Sequence, residues 1–296
     1  MNILITGGTG FIGAALCTHL QTLEYNIVVQ TRTTNSLLNN NIKTINSLQQ
    51  LTPEDKFDAV INLAGEPIAD KRWSKKQKQE ILRSRIETTE KLIQFFKQAN
   101  NKPSVFISGS AIGYYGITPT DDEINENNSG DSSFSSQLCQ LWELSAQQAE
   151  KLGIRTCLLR TGIVLGKNGG ALKKMLPPFK LGLGGKIGSG NQWMPWIHID
   201  DMIGLIELCV NNVNISGAIN CTAPGPVTNS TFTKTLAEAI NRPAIFPMPA
   251  FIVKLLMGKM GEELLLNGKK VIPKKALDSG YKFKYQTIEQ ALATIV

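Results

Sequence analysis

The stretch MNILITGGTGFIG, residues 1–13, decides how the rest of the chain is read. Residues 2–6 form a short apolar strand that runs directly into Gly7, Gly8, Thr9 and Gly10, then into Phe11, Ile12 and Gly13, the apolar opening of a helix. Glycines let a backbone turn tightly and approach a pyrophosphate, whose charge the unpaired N–H groups and dipole of the helix start then hold. The spacing satisfies GxGxxG through Gly8, Gly10 and Gly13, and GxxGxxG through Gly7, Gly10 and Gly13. A preceding strand and a following helix are the context that makes this pattern a dinucleotide fingerprint rather than a structural turn.

The chain has 296 residues, 42% hydrophobic and 19% charged, enough for one large α/β domain or two smaller ones with a full core. No stretch reaches the roughly 18 uncharged apolar residues of a membrane span. The N-terminus also lacks the basic start of a secretory signal, so a cytoplasmic protein with no membrane partner is expected. Cys17, Cys139, Cys157, Cys209 and Cys221 are far apart and form no CxxC pair, so neither a metal nor a disulfide framework is expected. Lys plus Arg 31 against Asp plus Glu 24 leaves a net charge of +7, concentrated at residues 71–78 (KRWSKKQK) and at Lys269, Lys270, Lys274 and Lys275. Solvated helix faces and attraction for a phosphorylated cofactor account for that excess; no recognition motif for nucleic acid accompanies it.

After Gly13, Ala15, Leu16, Leu20 and Leu23 recur at helical spacing, and residues 26–31 (NIVVQT) read as a buried parallel strand. The end of that strand decides the cofactor. An NAD site wants an acid about 20 residues past the glycines to accept from the ribose 2′-OH. Thr31, Arg32 and Thr33 stand there instead, a set that suits a 2′-phosphate, so NADP(H) is the expected cofactor. Residues 57–63 are the next strand, and past Leu63 the small Ala64 and Gly65 leave room for a ligand. A long helix over 74–100 follows. Residues 103–108 are a further strand, leading to Ser110, Tyr114 and Tyr115, candidate catalytic hydroxyls near a nicotinamide; a turn with one buried tyrosine is the competing reading. Asp121, Asp122 and Glu123 read as solvated. A helix over 134–152 precedes a strand over 154–161 that carries Arg160, a further candidate cofactor contact.

The glycine-dense loop over 182–190 suits a segment that closes over a ligand. Trp196 and His198 then stand on the substrate side, although a His beside Asp200 and Asp201 is also an ordinary helix start. A last strand spans 217–221, Asn229 or Ser230 caps a helix to Ile240, and residues 251–266 read as one apolar helix. The division expected is a nucleotide-binding domain of residues 1–166 plus 197–223 and a substrate-side domain of residues 167–196 plus 224–296.

TGGTGFIG, NLAG at 62–65, SGSAIGYYG, LRTGIVLG and WIHIDD together resemble the extended short-chain dehydrogenase/reductase and sugar-nucleotide epimerase superfamily. GEPIADKRWS, SRIETT, LGLGGKIGSGNQWMPWIHIDD and GKKVIPKKALDSGYKFKY are similar to its atypical epimerase-family subgroup, also labelled cell-division-inhibitor-like nucleoside-diphosphate-sugar epimerases. The resemblance covers nearly the whole chain. It implies an α/β fold, a Rossmann-type doubly wound parallel sheet with a small C-terminal domain, and an NADP(H) site. The family's cofactor contacts would fall on Gly7, Gly10 to Gly13, Thr31, Arg32, Leu63, Ala64, Glu80 and Arg85, and a homodimer is compatible with it.

One departure matters. The superfamily uses Ser with a Tyr-x-x-x-Lys pair, the lysine lowering the tyrosine pKa; here residues 134–143 read FSSQLCQLWE, so Ser135 and Cys139 stand in the two places if Glu143 keeps its register. Two functions follow as expectations. One is an NADP(H)-dependent oxidoreductase or epimerase acting on a carbonyl or sugar-nucleotide-like small molecule; the other is a non-catalytic NADP(H)-binding regulatory protein.

Overall fold

Ile3, Leu4 and Ile5 have no exposed surface at all, which an unbroken apolar strand achieves only in a sheet covered on both faces. A computed structural model describes residues 1–32, 42–118, 120, 122–167 and 169–296, so Thr33 and Asp121 lie outside the described residues. In chain order, β1 is Asn2–Thr6, α1 Phe11–Thr22, β2 Asn26–Gln30, β3 Lys43–Ile45, β4 Ala59–Asn62, α2 Lys75–Gln98, β5 Val105–Ala111, β6 Glu123–Ile124 and α3 Phe134–Ala146. Then come β7 Arg155–Thr161, β8 Ile163–Gly166, α4 Gly170–Lys180, β9 Trp193–Met194, β10 Trp196–His198, α5 Ile199–Asn211, β11 Gly217–Cys221 and β12 Val227–Thr228. The remainder is α6 Asn229–Ala239, α7 Ala250–Met257, α8 Lys259–Gly261, β13 Lys270–Val271, α9 Lys274–Asp278 and α10 Ile288–Ile295, with a π-helical turn at Glu262–Leu266.

Seven strands form one parallel sheet in the order β11-β7-β5-β4-β1-β2-β3. The order reverses direction between β1 and β4, the switch point where open α/β sheets bind ligands. On one face Leu16, Leu20, Met202 and Ile206 of α1 and α5 pack against Ile3, Ile5 and Ile107. On the other, Leu92 and Phe96 of α2 and Ala146 of α3 pack against Leu4, Val60 and Phe106. This is the Rossmann-type architecture that the strand–turn–helix opening implied. Phe179, Trp196, Phe232, Leu236 and Leu292 build a separate core from α4, β10, α6 and α10.

Several boundaries differ from the sequence reading. Strand β5 runs to Ala111 because β7 is equally long and pairs Ser110 with Arg160, so both residues belong to the sheet itself. The helix expected over 134–152 tightens to a 3₁₀ turn after Ala146, at Gln147–Leu152. The expected helix over 251–266 breaks at Gly258, whose φ of +59° only glycine adopts easily. Thr228, rather than Asn229 or Ser230, caps α6.

His198 fastens the tail to the sheet. Its Nδ1 accepts from the Asp200 N–H at 3.1 Å as the N-cap of α5, its Nε2 faces the Thr294 hydroxyl at 3.4 Å, and its ring lies 3.9 Å from the Tyr285 ring. Burial lowers its pKa; the charges of Asp200 and Asp201 oppose that shift, while Lys284 adds to it. A depressed folded-state pKa contributes stability that is present above the ordinary value of 6.5 and lost as the pH falls. The thermal midpoint should therefore drop as the pH falls below about 6.5, and His198→Gln should remove part of that dependence while costing about 0.5–2 kcal/mol at neutral pH. Melting curves across the pH range read both; an unchanged pH dependence in the variant excludes the role.

Candidate functional site

At the switch point the chain passes through itself with almost no clearance. Gly7 has a φ of +72°, and a β-carbon there would lie 2.6 Å from the Leu63 carbonyl; one on Gly13 would lie 2.2 Å from the Gly7 oxygen. Only glycines let β1, β4 and α1 meet this closely. Helix α1 starts at Phe11 with Gly10 as an N-cap that offers no side-chain hydrogen bond, so its first-turn N–H groups remain available to a ligand. The Phe11 ring sits against Gly166, Gly169 and Gly170, where added β-carbons would clash with it at 2.3–2.7 Å for the first two. The cradle therefore fits a pyrophosphate.

Around it the other strand ends converge. Thr31 is buried and its N–H bonds the Ile45 carbonyl at 3.0 Å, whereas Arg32 is exposed at the end of β2. Asn62 is fixed by the Thr6 hydroxyl at 2.6 Å and by its own amide on Thr89 at 3.0 Å, which holds Leu63, Ala64 and Gly65 in place. Arg85 reaches in from α2 and donates through Nη1 to the carbonyls of Glu66 and Ile81, each at 3.0 Å. A β-carbon on Gly65 would touch its guanidinium at 3.0 Å, and the guanidinium lies 5.1 Å from the Trp142 ring. Its Nε and Nη2 have no protein partner among the described residues, leaving a cationic edge at the cleft. Glu80, on the same helix, accepts from Arg83 Nη2 at 2.8 Å in an exposed pair.

Beyond β5 a buried polar network joins Ser110, Glu143, Arg160 and Tyr115. Ser110 donates to Glu143 Oε1 at 2.7 Å, and Arg160 grips the same carboxylate through Nε and Nη2, each at 2.9 Å. Arg160 Nη1 donates to the Tyr115 hydroxyl and to the Glu126 carbonyl, both at 3.1 Å, while Tyr115 donates to Asn220 Oδ1 at 2.6 Å. Burial by itself would lower the Arg160 pKa, but the bonds and charge of Glu143 outweigh it and hold the guanidinium above its ordinary value. Burial pushes Tyr115 up to about 12, with Arg160 offsetting it only partly. A fully buried phenol with that pKa, spending its proton on Asn220, is a poor shuttle near neutral pH. Tyr114 lies half-buried with the Arg160 guanidinium 3.4 Å over its ring, and its hydroxyl has no partner among the described residues.

Ser135 and Cys139 lie on the same face of α3, one turn apart, against Gly113. Burial pushes the Cys139 thiol up to about 11 and the charge of Glu143 adds to this, with the Arg85 guanidinium offsetting it only partly, so the position has no ready thiolate. Ser135 gives both its N–H, at 3.0 Å, and its hydroxyl, at 2.6 Å, to Glu263 Oε2, a carboxylate carried in by the π-helical turn 128 residues later. Nothing local in the sequence announced Glu263. Glu143 did have a signal, since it follows Ser135 and Cys139 at the spacing of one helix face. Trp196 and His198 do not reach this cleft: Trp196 is wholly buried with its Nε1 on the Gly225 carbonyl at 2.9 Å, and His198 caps α5.

Residues 3–221 match the model of the NAD dependent epimerase/dehydratase family. The chain belongs to that family. Residues 248–295 match a domain of unknown function, DUF1731. Epimerase family protein YfhF of Bacillus subtilis is 37% identical over 300 residues, covering 100% of this chain and 98% of that one. The crystal structure of human epimerase family protein SDR39U1 (isoform 2) with NADPH superposes with a TM-score of 0.91 at 35% identity, covering 100% of this chain and 99% of that chain. A nucleoside-diphosphate sugar epimerase from Corynebacterium glutamicum gives a TM-score of 0.79 at 27% identity, covering 100% of this chain and 58% of that one.

Removing one side of the Arg160–Glu143 pair leaves the other charge buried and unpaired. Glu143→Leu or Arg160→Met should each cost about 3–5 kcal/mol of unfolding free energy in urea. The double variant should recover much of that loss; a double variant no better than the singles would show that the pair is not the unit.

Proposed function

We propose that this protein is an NADP(H)-dependent oxidoreductase or epimerase acting on a carbonyl or sugar-nucleotide-like substrate, with an acid–base group different from the superfamily's tyrosine. The observation that carries the cofactor half is the Gly7–Gly13 cradle opening on an uncapped helix with Arg32, not an acid, at the end of β2. NADPH in the human relative supports the same reading. Gly7, Thr9, Gly10 to Gly13, Leu63 to Gly65 and Arg85 would hold the dinucleotide, Thr31 and Arg32 its 2′-phosphate end, and the bound cofactor would supply or accept the hydride.

For the proton, Glu263 is the stronger candidate than Tyr115. Its Oε2 accepts from the N–H and hydroxyl of Ser135, the residue that stands in the tyrosine's place if Glu143 keeps its register, while Oε1 has no protein partner among the described residues. Ser110 polarises a carbonyl only by withdrawing its proton from Glu143, a charge-assisted bond with a net value of about 1.5–3 kcal/mol. At rest it presents lone pairs, which suit a substrate hydroxyl. That same engagement favours the second reading, a binding protein that retains the cofactor without turning it over. The division into residues 1–166 plus 197–223 and residues 167–196 plus 224–296 belongs to this proposal, with the substrate between the parts. So does a homodimer through α2 and α3, where Leu141 and Leu144 stand exposed beside Leu82 and Ile86; a monomer mass by light scattering at high concentration excludes it.

Fluorescence titration should give tighter binding of NADPH than NADH by about tenfold or more, and Arg32→Glu should reverse or abolish the preference. Equal affinity for both cofactors in the wild type excludes the 2′-phosphate assignment. With a panel of carbonyl substrates, NADPH oxidation should be lost in Ser110→Ala and should change its pH profile in Glu263→Gln. Tight NADPH binding with no turnover on any substrate selects the binding-protein reading.

A further inference from the structure

Adjoining segments of the C-terminal half carry exposed apolar side chains. On α7, Val253 is buried, and Phe251 and Leu255, one turn apart, point to the opposite side, where they are 69% and 70% exposed. A surface helix ordinarily carries charge there. Residues 243–249 are stitched to the glycine loop by Phe246 N–H to the Gly184 carbonyl at 3.1 Å, Met248 N–H to Lys186 at 2.9 Å and Gly188 N–H to Met248 at 2.8 Å. That layer presents Leu181 and Ile245, 74% and 72% exposed, together with Leu183 and Phe246. Gly188 lies against Ala250, joining the layer to α7. Single exposed apolar residues are commonplace, but a contiguous group of this size marks an interaction surface.

The charge beside it is mainly cationic. Residues 180–190 and 242–259 contain Lys180, Lys186, Arg242, Lys254 and Lys259 and no acidic residue; Lys254 and Lys259 pair with Glu262 at 3.6 and 2.8 Å, which leaves Lys180, Lys186 and Arg242 without an acidic partner among the described residues. Beside Ile245 a cavity of about 680 Å³ is lined by Lys186, Lys234 and Arg242 with Ser230 and Thr233; its single acid, Glu238, lies 3.9 Å from Lys234.

We propose that this face docks the protein on a bilayer surface rich in anionic phospholipid, with Leu181, Ile245, Phe251 and Leu255 in the acyl boundary and a headgroup phosphate in the Lys186–Lys234–Arg242 cavity. Leu181, Ile245, Phe251 and Leu255 are 69–74% exposed, Ile245 at the rim of the cavity, and a fluid acyl layer accommodates such protruding side chains where a rigid protein partner needs a matching hollow. A second copy is disfavoured because a two-fold contact sets a patch against itself and would press these cations together. Among the described residues no helix is long and apolar enough to cross a membrane, so the attachment is to the surface.

Co-sedimentation of the full chain with vesicles of phosphatidylcholine, with and without a minority of phosphatidylglycerol, tests this at low and high salt. Binding should require the anionic lipid, weaken with salt, and fall by about tenfold or more both in the double variant Phe251→Ser, Leu255→Ser and in Lys186→Glu, Arg242→Glu. Circular dichroism establishes that the variants are folded, and all substituted side chains are exposed. No pelleting above that seen with phosphatidylcholine alone overturns the proposal. Full competition by inorganic phosphate with the serine variant unaffected also overturns it, in favour of a soluble anion. Self-association that the serine variant abolishes, without vesicle binding, overturns it in favour of a contact between copies.

Discussion

The approach of Gly7 to Leu63, with Gly13 closing on Gly7 from the other side, is the constraint on which the rest depends. Any side chain at Gly7 or Gly13 would drive β1 from β4 or α1 from the turn, and the cleft outside the strand ends would lose its floor. From that contact follow the open helix start at Phe11, the placement of Leu63 to Gly65 and the guanidinium edge of Arg85. The polar bonds of Asn62 to Thr6 and Thr89 then lock the same region from within the sheet.

A second constraint is the buried carboxylate of Glu143. Burying a charge is costly unless its lone pairs are filled, and Ser110 and Arg160 fill them. The arrangement consumes the serine proton and the arginine donors that a reading by position assigns to substrate or cofactor. Tyr115 is drawn into the same network through Arg160 and Asn220. What the network leaves unused is the outer edge of Arg85 and the lone pairs of Ser110; the Tyr114 hydroxyl and the second oxygen of Glu263 are also without a protein partner among the described residues.

The sheet was legible because its signals are local. Residues 2–13 carry strand, turn and helix in one run, and the apolar strands ending at Gln30, Asn62 and Thr161 read directly as buried parallel strands. Arg32 was visible for the same reason, since the absence of an acid at a strand end is a short-range fact. Long-range pairings were not. Ser135 to Glu263 and Tyr115 to Asn220 join residues 128 and 105 positions apart, and no periodicity connects them. Trp196 and His198 look alike on paper whether they line a cleft or a core; the packing of Phe232 and Tyr285 against them puts both inside. Gly258 broke the expected C-terminal helix because hydrophobic spacing continues across a residue whose backbone does not.

Difference density from a crystal grown with NADPH tests the central claim most directly. The pyrophosphate is expected against the backbone N–H groups of Phe11 and Ile12, with the 2′-phosphate within hydrogen-bond distance of Arg32. A turn left vacant at full cofactor occupancy elsewhere, or Arg32 directed away from the phosphate, would contradict it.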